Sequence, residues 1–258
     1  MRKDYHMHPT VVQDPARFDA FAEAALQKGI GEVCITDHMP LSVSDAADRI
    51  TRGCVGEYCR RVRELADRWA GRLTVRCGIE IDFHPDYMDE IRAVLDAGTF
   101  DYVLASSHFH VFMTDDELRR CTRNDFAARA LENLHRAVDT GLFTAAAHLD
   151  VHRCTFTQTP LIDDGYHPDR HMHLIRPLLR AIADRGMYLE INPHFAEAMG
   201  GGIEHVYPAQ SILTEALALP IRFSYGSDAH VPSSVGAMLD ELENHPLYGR
   251  ALRRWEDA

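Results

Sequence analysis

Histidine is frequent in this chain, and some histidines are spaced in a way that favours metal binding. There are 16 histidines among 258 residues. One residue separates His6 from His8, and the same spacing relates Asp228 to His230. Side chains two residues apart on a β-strand point to the same side, so either pair could reach one cation. Imidazole and carboxylate groups suit Zn²⁺, Fe²⁺ or Mn²⁺, although a single pair of this kind is a weak signal.

The elements that would position these residues follow from hydrophobic periodicity, because short apolar runs alternate with longer amphipathic segments. The predicted strands span residues 5–8, 32–36, 73–81, 102–106, 143–148, 187–191 and 221–225. The predicted helices span residues 16–27, 56–69, 86–97, 115–139, 170–184, 208–218 and 233–244. Residues 151–169 and 192–207 are predicted to form long loops. Seven consecutive β/α units favour one parallel, TIM-like barrel over residues 1–258 rather than two domains.

Every predicted strand ends in a residue type that can ligate a metal. Functional side chains of a β/α barrel come from the C-terminal ends of its strands. The candidate ligands are His6, His8, His38, Glu80, His108, His148, Asp228 and His230, with Asp14 as a further candidate. One four-coordinate ion needs only three or four protein ligands, so this set predicts two or three ions with a bridging carboxylate such as Glu80. Clustered divalent ions typically hold a phosphoryl group and activate water for attack on it.

Composition narrows the range of functions. The formal net charge is −12, which disfavours nucleic acid as a partner. No apolar run approaches the roughly 18 residues that cross a bilayer, and the first residues lack a signal-peptide pattern, so we expect a cytoplasmic protein that does not bind membranes. Lys3 and Lys28 are the only lysines, which excludes a carboxylated lysine bridging two metals in mid-chain. The six cysteines form no CxxC pair, and we expect them to be reduced.

Six short motifs occur in order along the chain. They are His6-Met7-His8, Thr36-Asp37-His38, Gly78-Ile79-Glu80, Ser106-Ser107-His108, His148-Leu149-Asp150 and Ser227-Asp228-Ala229-His230. Together they resemble the motifs of the PHP (polymerase and histidinol phosphatase) superfamily, with the greatest likeness to the histidinol-phosphatase type. The resemblance implies a distorted seven-unit β/α barrel with a trinuclear site at the C-terminal ends of its parallel strands. The implied ligand sets are His6, His8, Glu80 and Asp228 for one ion, Glu80, His108 and His148 for the second, and Asp14, His38 and His230 for the third.

The resemblance also implies an activity. The expected reaction is the metal-dependent hydrolysis of a small-molecule ester, L-histidinol phosphate, to L-histidinol and phosphate, a step of histidine biosynthesis. Arg153 matches a basic position of the family that can meet phosphate. Asp228, His230 or His194 is expected to protonate the leaving group.

One segment departs from the family pattern. Residues 190–192, Glu-Ile-Asn, are usually followed by Thr-Ser-Gly and a nearby basic residue, whereas here Pro-His-Phe follows and residues 192–221 contain no arginine or lysine. Glu190 and Asn192 are predicted to support the metal ligands or to contact substrate. Glu197 and Glu204 add carboxylates that suit a leaving group with an amine, as histidinol has.

Three alternatives remain open. A PHP-family phosphoesterase that acts on another small phosphate ester is favoured by the altered segment. A metal-dependent amidohydrolase would share the spaced histidine pair on a barrel, but the missing lysine and the surplus of ligands count against it. A non-catalytic metal-binding module would have lost ligands, and none of the candidate ligands is missing.

Overall fold

Seven parallel strands form a single sheet in which sequence neighbours are also spatial neighbours. The computed structural model describes residues 1–39, 52–108, 113–158, 161–198 and 201–256. The strands are β1 (Arg2–Asp4), β2 (Ile30–Ile35), β3 (Thr74–Asp82), β4 (Tyr102–Ser106), β5 (Ala145–Ala146), β6 (Tyr188–Ile191) and β7 (Arg222–Tyr225). Their order is β1 to β7, and each adjacent pair is parallel.

The segments that follow β1 and β7 bring the two edges of the sheet together. Tyr5 N donates to Tyr225 O (2.9 Å), and Asp228 N donates to His6 O (2.8 Å). His8 N continues this seam by donating to the Ala229 carbonyl. The sheet is therefore a nearly closed barrel, which confirms the predicted fold class. We call the paired segments 5–8 and 225–229 the closing seam.

Helices connect the strands and cover the outside of the sheet. They are α1 (Arg17–Gln27), α2 (Val55–Trp69), α3 (Met88–Ala97), α4 (Asp115–Leu118), α5 (Arg123–Thr140), α6 (His152–Gln158), α7 (Met172–Asp184), α8 (His194–Ala198), α9 (Gln210–Leu217), α10 (Leu239–Asn244) and α11 (Tyr248–Glu256). Helix α7 shows why such segments form helices, because Ile175, Leu178, Leu179 and Ile182 lie on one face and are buried. Among the described residues, no helix is long and apolar enough to cross a membrane.

Alternate residues of the strands pack into two separate apolar clusters. Tyr102 and Leu104 of β4 pack with Ala145 and Cys34 in the smaller cluster, whereas Val103 belongs to the larger cluster that includes the helices. Successive side chains of a strand point to opposite faces. The smaller cluster therefore fills the barrel interior, and the larger one joins the sheet to its helices.

The structure corrects several predicted boundaries. The strand predicted at 143–148 is reduced to β5, although Thr144 N and Ala147 N still bond to carbonyls of β4. The helix predicted over 115–139 is two helices, because Thr122 is extended and its hydroxyl caps α5 by accepting from Asp125 N (3.1 Å). The predicted loops contain α6 and α8, and α11 was not predicted.

Candidate metal centre

The carboxylate of Glu80 lies at the centre of a cluster of histidines. Glu80 is on β3 and is almost fully buried. Its Oε2 lies 3.2 Å from His6 Nε2, 3.4 Å from His8 Nε2 and 2.8 Å from His38 Nδ1. His6 and His8 come from the closing seam, and His38 follows β2. One carboxylate oxygen thus faces imidazoles from two neighbouring strands.

The other oxygen of this carboxylate faces a different pair of imidazoles. Glu80 Oε1 lies 3.0 Å from Nε2 of His148, which follows β5, and 4.0 Å from Nε2 of His108, which follows β4. A carboxylate whose two oxygens face separate groups of ligands is suited to bridging two ions. This arrangement supports the predicted role of Glu80 as a bridge.

Asp228 completes the cluster from the other side of the closing seam. Its Oδ1 lies 3.1 Å from His8 Nε2 and 3.7 Å from His6 Nε2. The backbone of Asp228 has φ of 55°, a region that costs a non-glycine residue on the order of 1–3 kcal/mol. The turn also brings His230 near, with Nδ1 3.0 Å from the Asp228 carbonyl. The strained backbone of Asp228 thus lies at the turn that brings two candidate ligands, Asp228 and His230, together.

Several buried atoms at the centre of the cluster have no hydrogen-bond partner among the described residues. They include His6 Nε2, both ring nitrogens of His8, and Glu80 Oε2. A buried polar atom without a partner typically costs about 1–3 kcal/mol. In their neutral forms the imidazole nitrogens, like the carboxylate oxygen, present lone pairs to one another. A cation would satisfy all of them, so the residues fit divalent metal ions.

The donor atoms gather into overlapping groups of three. Within the described part of the chain, the groups whose ligand atoms lie within 4.8 Å of one another are His8, His38 and His230; His6, His148 and Asp228; His6, His8 and Glu80; Glu80, His108 and His148; and His194, Asp228 and His230. The second predicted ligand set, with Glu80, His108 and His148, is brought together as expected. The third predicted set was Asp14, His38 and His230, and the matching group in the structure contains His8 in the place of Asp14.

The electrostatics of the cluster favour an ionised Glu80 and a neutral His8. Burial opposes the charge of Glu80, but the facing imidazoles of His38 and His6 outweigh it and lower the pKa of the carboxyl well below its usual range. Burial, together with the neighbouring His38, lowers the pKa of His8 well below its usual value. An ionised bridge and a neutral imidazole are the forms that coordinate metals.

Asp14 lies outside this cluster. Its side chain is exposed, and its Oδ1 accepts from Ala16 N (3.0 Å) at the start of α1. An aspartate that precedes a helix commonly bonds the backbone two residues on. The structure therefore gives Asp14 a local turn contact and does not bring it into the cluster, so its contact with an ion stays a prediction.

Glu190 and Asn192 are buried beneath the ligands and not exposed to a substrate. Glu190 Oε1 lies 2.6 Å from His6 Nδ1. Asn192 Nδ2 donates to Glu190 Oε2 (3.2 Å) and lies 3.4 Å from Asp228 Oδ2. Both residues are at most 1% exposed. Of the two predicted roles, the structure supports ligand support and not substrate contact.

The guanidinium group of Arg153 binds to other groups of the protein. Its Nε lies 2.7 Å from the buried carboxylate of Asp150. Its Nη1 and Nη2 each donate, at 2.9 Å, to the carbonyls of Glu204 and Val206. Arg153 therefore forms a clamp that ties the segment after β6 to the segment after β5, and its contact with phosphate stays a prediction.

Asp82 was missed as a functional residue. Its Oδ1 lies 2.6 Å from His108 Nδ1 and accepts from the Ser106 hydroxyl (3.0 Å). A carboxylate on the second nitrogen fixes the tautomer and orientation of a ligating imidazole. The available signal was the two-residue spacing from Glu80, which places both side chains on the same side of β3.

The predicted proton donor His194 lies at the edge of the cluster. It begins α8 and is half-buried. Its ring centroid lies 5.3 Å from that of His230. Glu204, predicted to contact an amine, is exposed and 3.7 Å from His205 Nε2, whereas the side chain of Glu197 lies outside what the structure describes.

A parallel β/α barrel with clustered imidazoles and carboxylates at its strand ends defines a class of metal-dependent hydrolases. A family model, the PHP domain, matches residues 4–194, and the chain belongs to this family. The chain is 30% identical over 243 residues to a "Probable histidinol-phosphatase" of Deinococcus radiodurans, covering 90% of this chain and 88% of the relative. It is 27% identical over 265 residues to the "Histidinol-phosphatase" of Bacillus subtilis, covering 91% and 96%.

A solved structure has the same fold. The histidinol phosphate phosphatase of Lactococcus lactis, complexed with zinc, L-histidinol and phosphate, matches with a TM-score of 0.73 at 18% identity. The match covers 99% of this chain and 93% of the other. The family assignment made from the six motifs is thus confirmed.

Proposed function

We propose that this protein is a metal-dependent phosphatase that hydrolyses L-histidinol phosphate to L-histidinol and phosphate. The observation that carries the proposal is the Glu80 carboxylate, whose two oxygens face separate groups of imidazoles. The histidinol phosphatases of Deinococcus radiodurans and Bacillus subtilis, which match nearly the whole chain, support the choice of substrate. Residues 1–258 are proposed to form a single domain, since all described strands belong to one sheet.

The cofactors are two or three divalent transition metal ions, zinc, manganese or iron. Such ions supply charge neutralisation at the phosphoryl oxygens and a nucleophilic water at neutral pH. His6, His8 and Asp228 would hold one ion with Glu80 Oε2. His108 and His148 would hold another with Glu80 Oε1. His8, His38 and His230 offer a third position.

His194 is the residue proposed to protonate the leaving alkoxide. Asp228 and His230 were the other candidates, but each belongs to two of the groups of donor atoms, whereas His194 belongs to one. A side chain whose lone pair is committed to a cation has no proton to transfer. His194 is half-buried at the edge of the cluster. It can therefore face both the cluster and a bound ester.

A second candidate function is hydrolysis of another small phosphate ester. It is favoured by the segment after β6, where residues 192–221 lack arginine and lysine. Arg153 is also occupied by Asp150 and two carbonyls. The described protein groups near the cluster would therefore neutralise little of the phosphate charge, and the ions would neutralise most of it.

Steady-state phosphate release separates these functions. Protein loaded with zinc, manganese or iron should be assayed with L-histidinol phosphate, glycerol phosphate, a sugar phosphate and nucleoside monophosphates. We expect the highest kcat/KM for L-histidinol phosphate. A higher value for another ester would assign the second function, and no phosphate release from any ester would contradict both.

A further inference from the structure

Glu190 connects three parts of the barrel through one buried carboxylate. Its Oε1 accepts from His6 Nδ1 (2.6 Å), and its Oε2 accepts from His148 N (2.8 Å) and Asn192 Nδ2 (3.2 Å). These partners come from the closing seam, from the end of β5 and from the end of β6. All of the donors are nearly inaccessible to solvent.

Room for this carboxylate depends on Gly226. A Cβ at Gly226 would lie 2.2 Å from Glu190 Oε1 and 2.4 Å from the Cβ of His6. Contacts under 3.0 Å are not tolerated by real side chains, so any larger residue would displace either Glu190 or His6. The absence of a side chain at Gly226 thus lets the closing seam approach β6 closely enough for His6 to contact Glu190.

We infer that Glu190 is a positioning residue that holds His6 with its proton on Nδ1, so that the bare Nε2 faces Glu80 and Asp228 and can bind an ion. The inference rests on the metal centre of the proposed function. His6 is the histidine that it acts on because His6 Nε2 lies within 3.7 Å of both carboxylates. Through the bond to His148 N, the same residue positions the backbone of a second ligand.

The hydrogen-bond directions make Glu190→Gln an informative substitution. Every partner of Glu190 can be a donor, and a carboxylate accepts on both oxygens, whereas an amide accepts on one only. If the amide oxygen faces His6, the amide NH₂ faces two donors, His148 N and Asn192 Nδ2. If the amide is turned over, its NH₂ faces His6 Nδ1, which must then accept and move its proton to Nε2. A protonated Nε2 points at Glu80 and cannot ligate.

The experiment measures metal affinity and tautomer directly, without relying on turnover. We expect Glu190→Gln to weaken zinc binding by roughly 10–100-fold, as is typical when the partner of a ligating histidine is lost. We expect Gly226→Ala to weaken it as well, because its Cβ displaces the carboxylate without removing its charge. Competition titration with a chromophoric chelator gives both affinities.

A matched control is Glu32→Gln. Glu32 is also buried and accepts hydrogen bonds, from Tyr5 and from Arg76 Nε (2.9 Å), but it lies at the N-terminal end of β2, opposite the metal centre. We expect this control to keep the zinc affinity of the unchanged protein. Equal losses in Glu32→Gln and Glu190→Gln would mean that any lost buried carboxylate disturbs the barrel, and the inference would be overturned.

A second test uses the unchanged protein, so it does not depend on whether Glu190→Gln folds. In metal-free protein with ¹⁵N-labelled histidine, the imidazole resonances of His6 can be assigned by their loss in His6→Gln. A proton on Nδ1 is expected. An Nδ1 without a proton, or unchanged zinc affinity in a folded Glu190→Gln, would overturn the inference. The substrate assignment would be untouched, because it is decided by the ester panel.

Discussion

At the scale of single residues, the centre is built from atoms that need a cation. Glu80 Oε2 and His6 Nε2 are buried 3.2 Å apart, and neither has a hydrogen-bond partner among the described residues. The sequence pattern predicted these ligand types because each follows a strand. It could not assign Glu190, since whether a strand-end carboxylate faces a substrate or a ligand depends on neighbours more than 180 residues away. Asp14 makes a local turn contact with Ala16 N, and its contact with an ion stays a prediction.

Removing the bridging charge should affect more than one ion. We predict that Glu80→Gln loses metal at both of the groups that Glu80 faces and lowers kcat by more than about 100-fold, the upper range for loss of an outer-shell partner. His108→Gln, which removes a ligand from one group only, should lose less metal. Elemental analysis and phosphate release measure the two effects. Near-normal activity of Glu80→Gln would exclude the bridging role.

Replacing His194 should separate proton transfer from metal binding. We predict that His194→Gln lowers kcat for L-histidinol phosphate by about 10²–10⁴-fold, the usual contribution of a general acid, with unchanged metal content. An ester with a good leaving group, such as p-nitrophenyl phosphate, needs no proton and should lose far less. Equal losses for both esters would remove His194 from the proton-transfer step.

At the scale of elements, the alternation of strands and helices was predictable, and the loops were less so. The apolar residues of α7 recur so regularly that the predicted helix ends at Asp184, as it does in the structure. By contrast, the short helices α6 and α8 lie in segments without a clear apolar face. Their positions depend on long-range contacts such as the clamp formed by Arg153, which no local pattern can indicate.

The clamp formed by Arg153 should contribute to the free energy of unfolding. In Arg153→Met, the carboxylate of Asp150 stays fully buried, loses its charged partner and keeps the bond from Ala209 N (3.1 Å). Removing one partner of a buried ion pair typically costs about 3–5 kcal/mol, so we expect a loss of this size in the free energy of unfolding. Chemical denaturation measures it. If Arg153 contacts phosphate instead, KM should rise while stability changes little.

At the scale of the whole molecule, an acidic protein is proposed to bind an anion. The net charge of −12 would repel a phosphate ester, but bound divalent ions are the largest local charges of such a site. Several carboxylates and unpartnered imidazole nitrogens concentrate at one end of the barrel. The same concentration of negative charge should make the fold depend on its ions.

Metal removal should therefore destabilise the protein. We predict that a chelator lowers Tm and that added zinc restores it, because a ligand at 100 times its Kd stabilises the folded state by about 2.7 kcal/mol. Calcium, which prefers oxygen ligands, should restore it less. Differential scanning calorimetry gives these values. A Tm that is indifferent to chelator and zinc would contradict a metal centre within the barrel.

The closing seam has a consequence for the order of events during synthesis. Asp228 and His230 are made more than 200 residues after His6 and His8, although Asp228 pairs with His6 in the seam. The donor set is incomplete until Asp228 and His230 have been made. Pairing of such distant segments is also slow, because a long loop must close first. Loading with metal is therefore a late step in the life of a new chain.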